Sequence, residues 1–274
     1  MAEFEVLLNN LMFTEGPRWH DGKLFFSDMH AHKVLSVDLD GKSQTVAEVP
    51  AWPSGLGWLP DGRLLIVSMT DRKVLRQDPD GLKTHADLSQ LASYHCNDMV
   101  TDGKGRCYVG NFGYDLLTDA AKKPAELVLV NPNGTARVAA TGLDFPNGTV
   151  ITPDGKTLVV GESMGHQLTA FDIQSDGSLT NRRIWANLGE GTVPDGIALD
   201  AEGAIWVASP MTFELLQVRE GGEVAERLKF DTMPIACALG GPGRRTLFML
   251  TSDSINPTNA ARRKPPKSGS RKWR

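Results

Sequence analysis

Phe145-Pro146-Asn147-Gly148-Thr149-Val150-Ile151-Thr152-Pro153-Asp154-Gly155-Lys156-Thr157-Leu158-Val159-Val160-Gly161-Glu162-Ser163 reads as a strand, a tight reversal and a second strand. Proline pre-sets the backbone of the turn, aspartate hydrogen-bonds within it and glycine accepts the positive φ that ends it. The same plan occurs six times. Its turns are His20-Asp21-Gly22, Pro60-Asp61-Gly62, Gly103-Lys104-Gly105, Pro153-Asp154-Gly155, Ala201-Glu202-Gly203 and Gly241-Pro242-Gly243. Each leads into a β-rich run such as Leu64-Leu65-Ile66-Val67 or Ile205-Trp206-Val207. Third strands such as Val34–Val37 and Leu168–Phe171 follow, then another reversal and a fourth.

Repeats of about 40–45 residues with four antiparallel strands characterise propeller blades. Six copies predict an all-β, six-bladed β-propeller with four-stranded antiparallel blades over residues 1–258. A two-domain β-sandwich also carries evenly spaced turns, but does not require one motif in one register. The run Phe4-Glu5-Val6-Leu7-Leu8 is expected to supply an outer strand that closes the last blade. Residues 259–274 hold seven Lys and Arg and two adjacent prolines, and are expected to form a poorly ordered basic tail.

With 274 residues, 41% hydrophobic and 23% charged, the chain has enough apolar material for a sizeable core and is not of the disordered class. A formal charge of −4 offers no nucleic-acid footprint for the body of the protein. Cys96, Cys107 and Cys237 form no CxxC motif and cannot all pair, which argues against a disulfide framework or a zinc ribbon. The acidic start lacks a basic-then-apolar leader, and no apolar run reaches bilayer length. The expectation is a cytoplasmic protein with no membrane partner.

The turns also serve as a ruler. Seven positions before Asp61, Lys104, Asp154, Glu202 and Gly243 stand Ser54, Asn97, Asn147, Asp195 and Ala236; the first unit is one residue shorter, and its matching residue is Glu15. Equivalent positions of successive blades share one height around a central channel. Glu15, Asn97, Asn147 and Asp195 are therefore expected to converge, although Asn-Gly and Asp-Gly steps are also common turn formers. Two carboxylates with amide oxygens suit a hard divalent cation and balance its charge, which makes Ca2+ the first choice, with Mn2+, Mg2+ or Zn2+ as alternatives.

Glu15-Gly16-Pro17-Arg18-Trp19, Asn97-Asp98, Pro146-Asn147-Gly148 and Pro194-Asp195-Gly196-Ile197-Ala198-Leu199-Asp200, in this order, resemble the gluconolactonase/regucalcin/luciferin-regenerating-enzyme family from about Glu15 to Thr251. The resemblance implies a six-bladed propeller holding one divalent cation through Glu15, Asn147 and Asp195, with Asn97 touching substrate or water. Several members place an Arg two residues before that Asn to hold sugar hydroxyls; this chain has His95. Members usually end with a β-rich segment, which the basic tail does not resemble. Asp115 falls where some members carry a substrate-contacting acid.

Met29, Met69, Phe112, Met164 and Met211 each follow the second strand of a blade. They read either as an apolar, shape-tolerant substrate rim suited to a ring or acyl group, or as caps on blade packing. Gly110 to Glu126 is long enough for a lid. His30 and His32 read as loop histidines and Cys96 as a packed thiol, since no triad order surrounds it. These readings predict a metal-dependent lactonase in which Asp195 takes the proton of an attacking water and Asn97 orients substrate. The alternatives are a calcium-dependent phosphotriesterase or arylesterase, and a non-catalytic propeller that binds a ligand.

Overall fold

Each Asx-type turn closes as its chemistry requires. Asp154 Oδ1 accepts from Lys156 N at 3.1 Å, Gly155 N donates to Thr152 O at 2.8 Å, and Gly155 takes φ 69°, where a side chain would strain the backbone. Asp61, Asp102 and Asp200 make the same bond two residues on. A computed structural model describes residues 4–254 apart from Leu117 and Asp119.

Those turns generate five four-stranded antiparallel blades. The first holds β1 (Thr14–His20), β2 (Lys23–Asp28), β3 (Lys33–Val37) and β4 (Ser43–Glu48). The second holds β5 (Pro53–Trp58), β6 (Leu64–Ser68), β7 (Lys73–Asp78) and β8 (Gly81–Asp87). The third holds β9 (Cys96–Thr101), β10 (Cys107–Asn111), β11 (Ala125–Val130) and β12 (Ala136–Leu143). The fourth holds β13 (Pro146–Ile151), β14 (Thr157–Glu162), β15 (Gln167–Ile173) and β16 (Leu179–Asn187). The fifth holds β17 (Ile197–Leu199), β18 (Ile205–Ser209), β19 (Glu214–Val218) and β20 (Val224–Lys229). The innermost strands touch in the order β1, β5, β9, β13 and β17.

The last sheet departs from expectation. It has two strands among the described residues, β21 (Met233–Gly240) and β22 (Thr246–Ser252), so the protein shows five complete blades and not six. β21 touches both β17 and β1, which closes the circle of inner strands. The N-terminal run does not complete this sheet: no residue from Phe4 to Asn10 is in a strand. Its leucines are half-buried, with Leu7 and Leu8, like Leu11 beyond them, packed against the cluster of Phe248, Leu250 and Phe26, and Phe4 set 5.0 Å from Phe230. Asn10 at φ 61° breaks the extended backbone that a ladder needs. The expected basic tail, residues 259–274, lies outside the described residues.

The core is divided among the gaps between blades. Leu65, Val67, Met99, Val109 and Val128 fill one gap, and Ile197, Ile205, Val207 and Leu168 another. The alternation of strand side chains sends one set into each neighbouring gap. Among the described residues no helix is long and apolar enough to cross a membrane.

Candidate functional site

At the predicted ring positions the inner strands are bulged. The register of β1 against β2 slips between Glu15 and Arg18, that of β5 against β6 between Pro53 and Leu56, and that of β13 against β14 between Pro146 and Thr149. A bulge re-aims side chains and increases local twist. The residue after the ring position is then pressed against the next blade. A Cβ on Gly148 would stand 2.4 Å from the Asp195 carbonyl oxygen, and one on Gly16 2.8 Å from that of Ser54. Only glycine leaves room for this approach. Gly148 N donates to Asp195 O at 3.1 Å, and Gly196 N to Ile235 O at 2.9 Å, so neighbouring blades are bonded at ring height.

Four predicted residues gather there. Glu15, Asn97 and Asn147 are buried. Asp195 is half-buried and lies two residues ahead of β17, pinned by Asp195 N donating to Ala208 O at 2.9 Å. Ser54 Oγ donates to Asn97 Oδ1 at 3.4 Å. Asn147 Nδ2 donates to Ser163 Oγ at 3.3 Å, and Ser163 Oγ to Pro194 O at 2.6 Å. These bonds leave three buried polar atoms with no partner: Asn147 Oδ1, Asp195 Oδ1 and Asn97 Nδ2.

The charges are uncomfortable without a counter-ion. Burial, then the nearby charges of Asp195 and Asp98, raise the Glu15 carboxyl well above its ordinary range. Burial also pushes Asp195 up to about 7, against the opposing hydrogen bond from Asn147, with Asp98 adding to the rise. Desolvated carboxylates that repel one another are the condition a bound cation relieves. Among the described residues no three His, Cys, Asp or Glu side chains form a metal cluster by themselves. A cation at this height would therefore take amide oxygen as well, and the orphaned Asn147 Oδ1 and Asp195 Oδ1 fit an oxygen-seeking ion.

A third acid stands off the register. Asp98 is buried one residue beyond the ring position and is paired to Arg18 of the first blade, Nη2 to Oδ1 at 2.9 Å. Arg18 also donates to the carbonyl oxygens of Met99 and Pro17. Both residues stand inside the quoted motifs, but only the fold reveals their pairing. Ser163, which holds the amide of Asn147, carried no sequence signal beyond its place at the end of the opening stretch.

Around the mouth the predicted residues divide. Met29 and Met69 are buried in one cluster with Phe13 and Ile235, and Phe112 packs on its edge. Met164 is half-buried, whereas Met211 is 66% exposed. His95 stacks on Tyr94 at 4.1 Å between centroids, and burial lowers its pKa. The Tyr94 hydroxyl donates to Asp115. His30 sits between Phe13 and Trp52 and is held down to about 4, by burial first and His32 second. Burial pushes the Cys96 thiol up to about 12, which makes it a poor nucleophile.

The sequence matches the family described as SMP-30/Gluconolactonase/LRE-like region over residues 13–253. A 6-deoxy-6-sulfogluconolactonase of Pseudomonas putida is 27% identical over 251 residues, covering 87% of this chain and 82% of its own. A regucalcin of Xenopus laevis is 23% identical over 265 residues, covering 93% and 88%. The crystal structure of a calcium-binding protein, regucalcin, from Agrobacterium tumefaciens shares the fold with a TM-score of 0.82 at 20% identity, covering 98% of this chain and 92% of that one. The chain belongs to the SMP-30/gluconolactonase/LRE-like family.

Proposed function

We propose that the protein is a lactonase that opens a ring ester by water attack at the polar ring, with one divalent cation, calcium as first choice, held by Glu15, Asn147 and Asp195. One observation carries the reading: Asn147 Oδ1 and Asp195 Oδ1, from adjacent blades, are buried and unpartnered at the same height. Buried polar atoms are almost always satisfied, so two orphaned oxygens beside a carboxyl of raised pKa point to a missing positive partner. The names of the Pseudomonas and Xenopus relatives agree with lactone chemistry and with calcium.

A cation bound there supplies Lewis acidity and neutralises charge. The chain's own groups do the rest. Asp195 accepts a proton from the attacking water and returns it to the ring oxygen as the acyl C–O bond breaks. Asn97 Nδ2, a buried donor without a partner, is free to hydrogen-bond the carbonyl oxygen as negative charge develops on it. Ser163 holds the Asn147 amide so that its nitrogen is occupied and its oxygen is not.

The test is to strip metal with a chelator, count bound metal, and follow acid release from sugar, alkyl and aromatic lactones. Calcium, manganese, magnesium or zinc is then restored one at a time. Acid release that disappears on stripping and returns with a cation is expected. Release that is indifferent to metal overturns the assignment.

A further inference from the structure

Two residues ahead of the ring positions in the first four blades stand Phe13, Trp52, His95 and Phe145. One backbone bond recurs beneath them. The residue just after the second strand donates its N–H to the carbonyl of this position: Met29 to Phe13 at 2.8 Å, Met69 to Trp52 at 2.9 Å, Phe112 to His95 at 3.0 Å and Ser163 to Phe145 at 3.0 Å. Four blades therefore build one collar, on the side of the ring where the loops after the second strands lie.

Ring contacts run along the collar in two arcs. Phe13 lies 5.0 Å from His30 and His30 5.4 Å from Trp52. His95 lies 6.3 Å from Phe112, which stacks on Phe145 at 4.6 Å. Trp52 at φ 64° and Phe145 at φ 62° occupy left-handed backbone that bulky residues avoid, so the fold sustains strain to hold rings here. Trp52, His95 and Phe112 are half-buried, leaving part of their surfaces accessible. Polar capacity is small by contrast. The Asp115 carboxylate takes the Tyr94 hydroxyl, and the remaining polar groups are the imidazoles of His95 and His30, the latter with a buried, unpartnered Nδ1.

Resting on the lactonase reading above, we propose that this collar selects ring esters fused to or bearing an aromatic ring, over polyhydroxylated sugar lactones. Offset and edge-to-face contacts reward a flat aromatic guest among these rings. A sugar lactone would bring hydroxyls against a surface with few partners, and each buried hydroxyl left unpaired is penalised.

The experiment uses δ-lactones of one ring size: benzo-fused, alkyl-substituted and polyhydroxylated. A benzo-fused lactam, with an amide in place of the ester, serves as a binding probe by calorimetry. Wild type is expected to show kcat/KM at least tenfold higher for the benzo-fused lactone than for the polyhydroxylated one. Phe112→Ala, and separately Trp52→Leu, are expected to reduce that ratio at least fivefold and to weaken lactam binding, with folding checked by circular dichroism. Preference for the polyhydroxylated or the alkyl lactone, or a ratio and a lactam affinity unmoved in both variants, overturns the proposal. If no lactone releases acid, the hydrolysis reading fails and the lactam alone decides: binding that is lost in the variants sustains the collar, and no binding overturns it.

Discussion

The fourth and fifth blades and the second and sixth sheets place residues in the same register with opposite results. Asn147 and Asp195 each leave a buried oxygen unpartnered, while Ser54 Oγ is spent on Asn97 and Ala236 has no polar atom at all. The backbone does not distinguish them: Gly196 approaches Ala236 as closely as Gly148 approaches Asp195, and both steps are bridged by hydrogen bonds. The difference teaches that the propeller supplies equivalent positions and that side-chain chemistry alone makes part of the circle a site.

The hardest test of that contrast removes the polar side. Asn147→Ala and Asp195→Ala are expected to lose bound metal and about 10²–10⁴-fold in kcat while remaining folded, by metal analysis and steady-state kinetics. Full activity in either would break the comparison. Next in size is the support beneath the ring. Arg18→Leu strands the buried Asp98 carboxylate, and urea unfolding should show a loss of about 3 kcal/mol. The two serines then sharpen the contrast. Ser163→Ala frees the Asn147 amide and should weaken metal binding about 10–100-fold, whereas Ser54→Ala should leave metal affinity unchanged. Smallest is an effect at the mouth. His30 is neutral in the fold down to about 4, whereas the unfolded chain takes up its proton near 6.5. The unfolded state therefore binds more protons in this window, and stability falls as pH drops from 6.5 to 4. His30→Phe should lessen that fall in melting temperature while keeping the ring contacts with Phe13 and Trp52.

Five four-stranded blades were legible because one turn recurs with one spacing, while the sixth repeat shows two strands among the described residues; a register counted from Asp154 and Glu202 names Asn147 and Asp195 as candidates without knowledge of distant contacts. The Arg18–Asp98 pair was not, since it joins residues 80 positions apart, and Asp98 stands one step off the register. The N-terminal run misled for a different reason. Leucines at Leu7, Leu8 and Leu11 bury equally well as a side-chain strap or as a strand, and hydrophobic content does not specify a ladder. The methionines differ by one step: Met69 directly follows β6 and is in the core, whereas Met211 stands two residues after β18 and is in the open.

The recurring N–H···O=C bond between the loop after each second strand and the start of the inner strand has a metric consequence. It ties collar to ring through two residues of backbone, and a strand rise of about 3.3 Å per residue sets an upper limit of roughly 7 Å on their separation. On the proposed reading the site is a depth gauge as well as a filter. A guest whose aromatic ring is fused to its ester matches that depth, and one with a long flexible spacer seats its ring only by lifting its carbonyl away from Asn97.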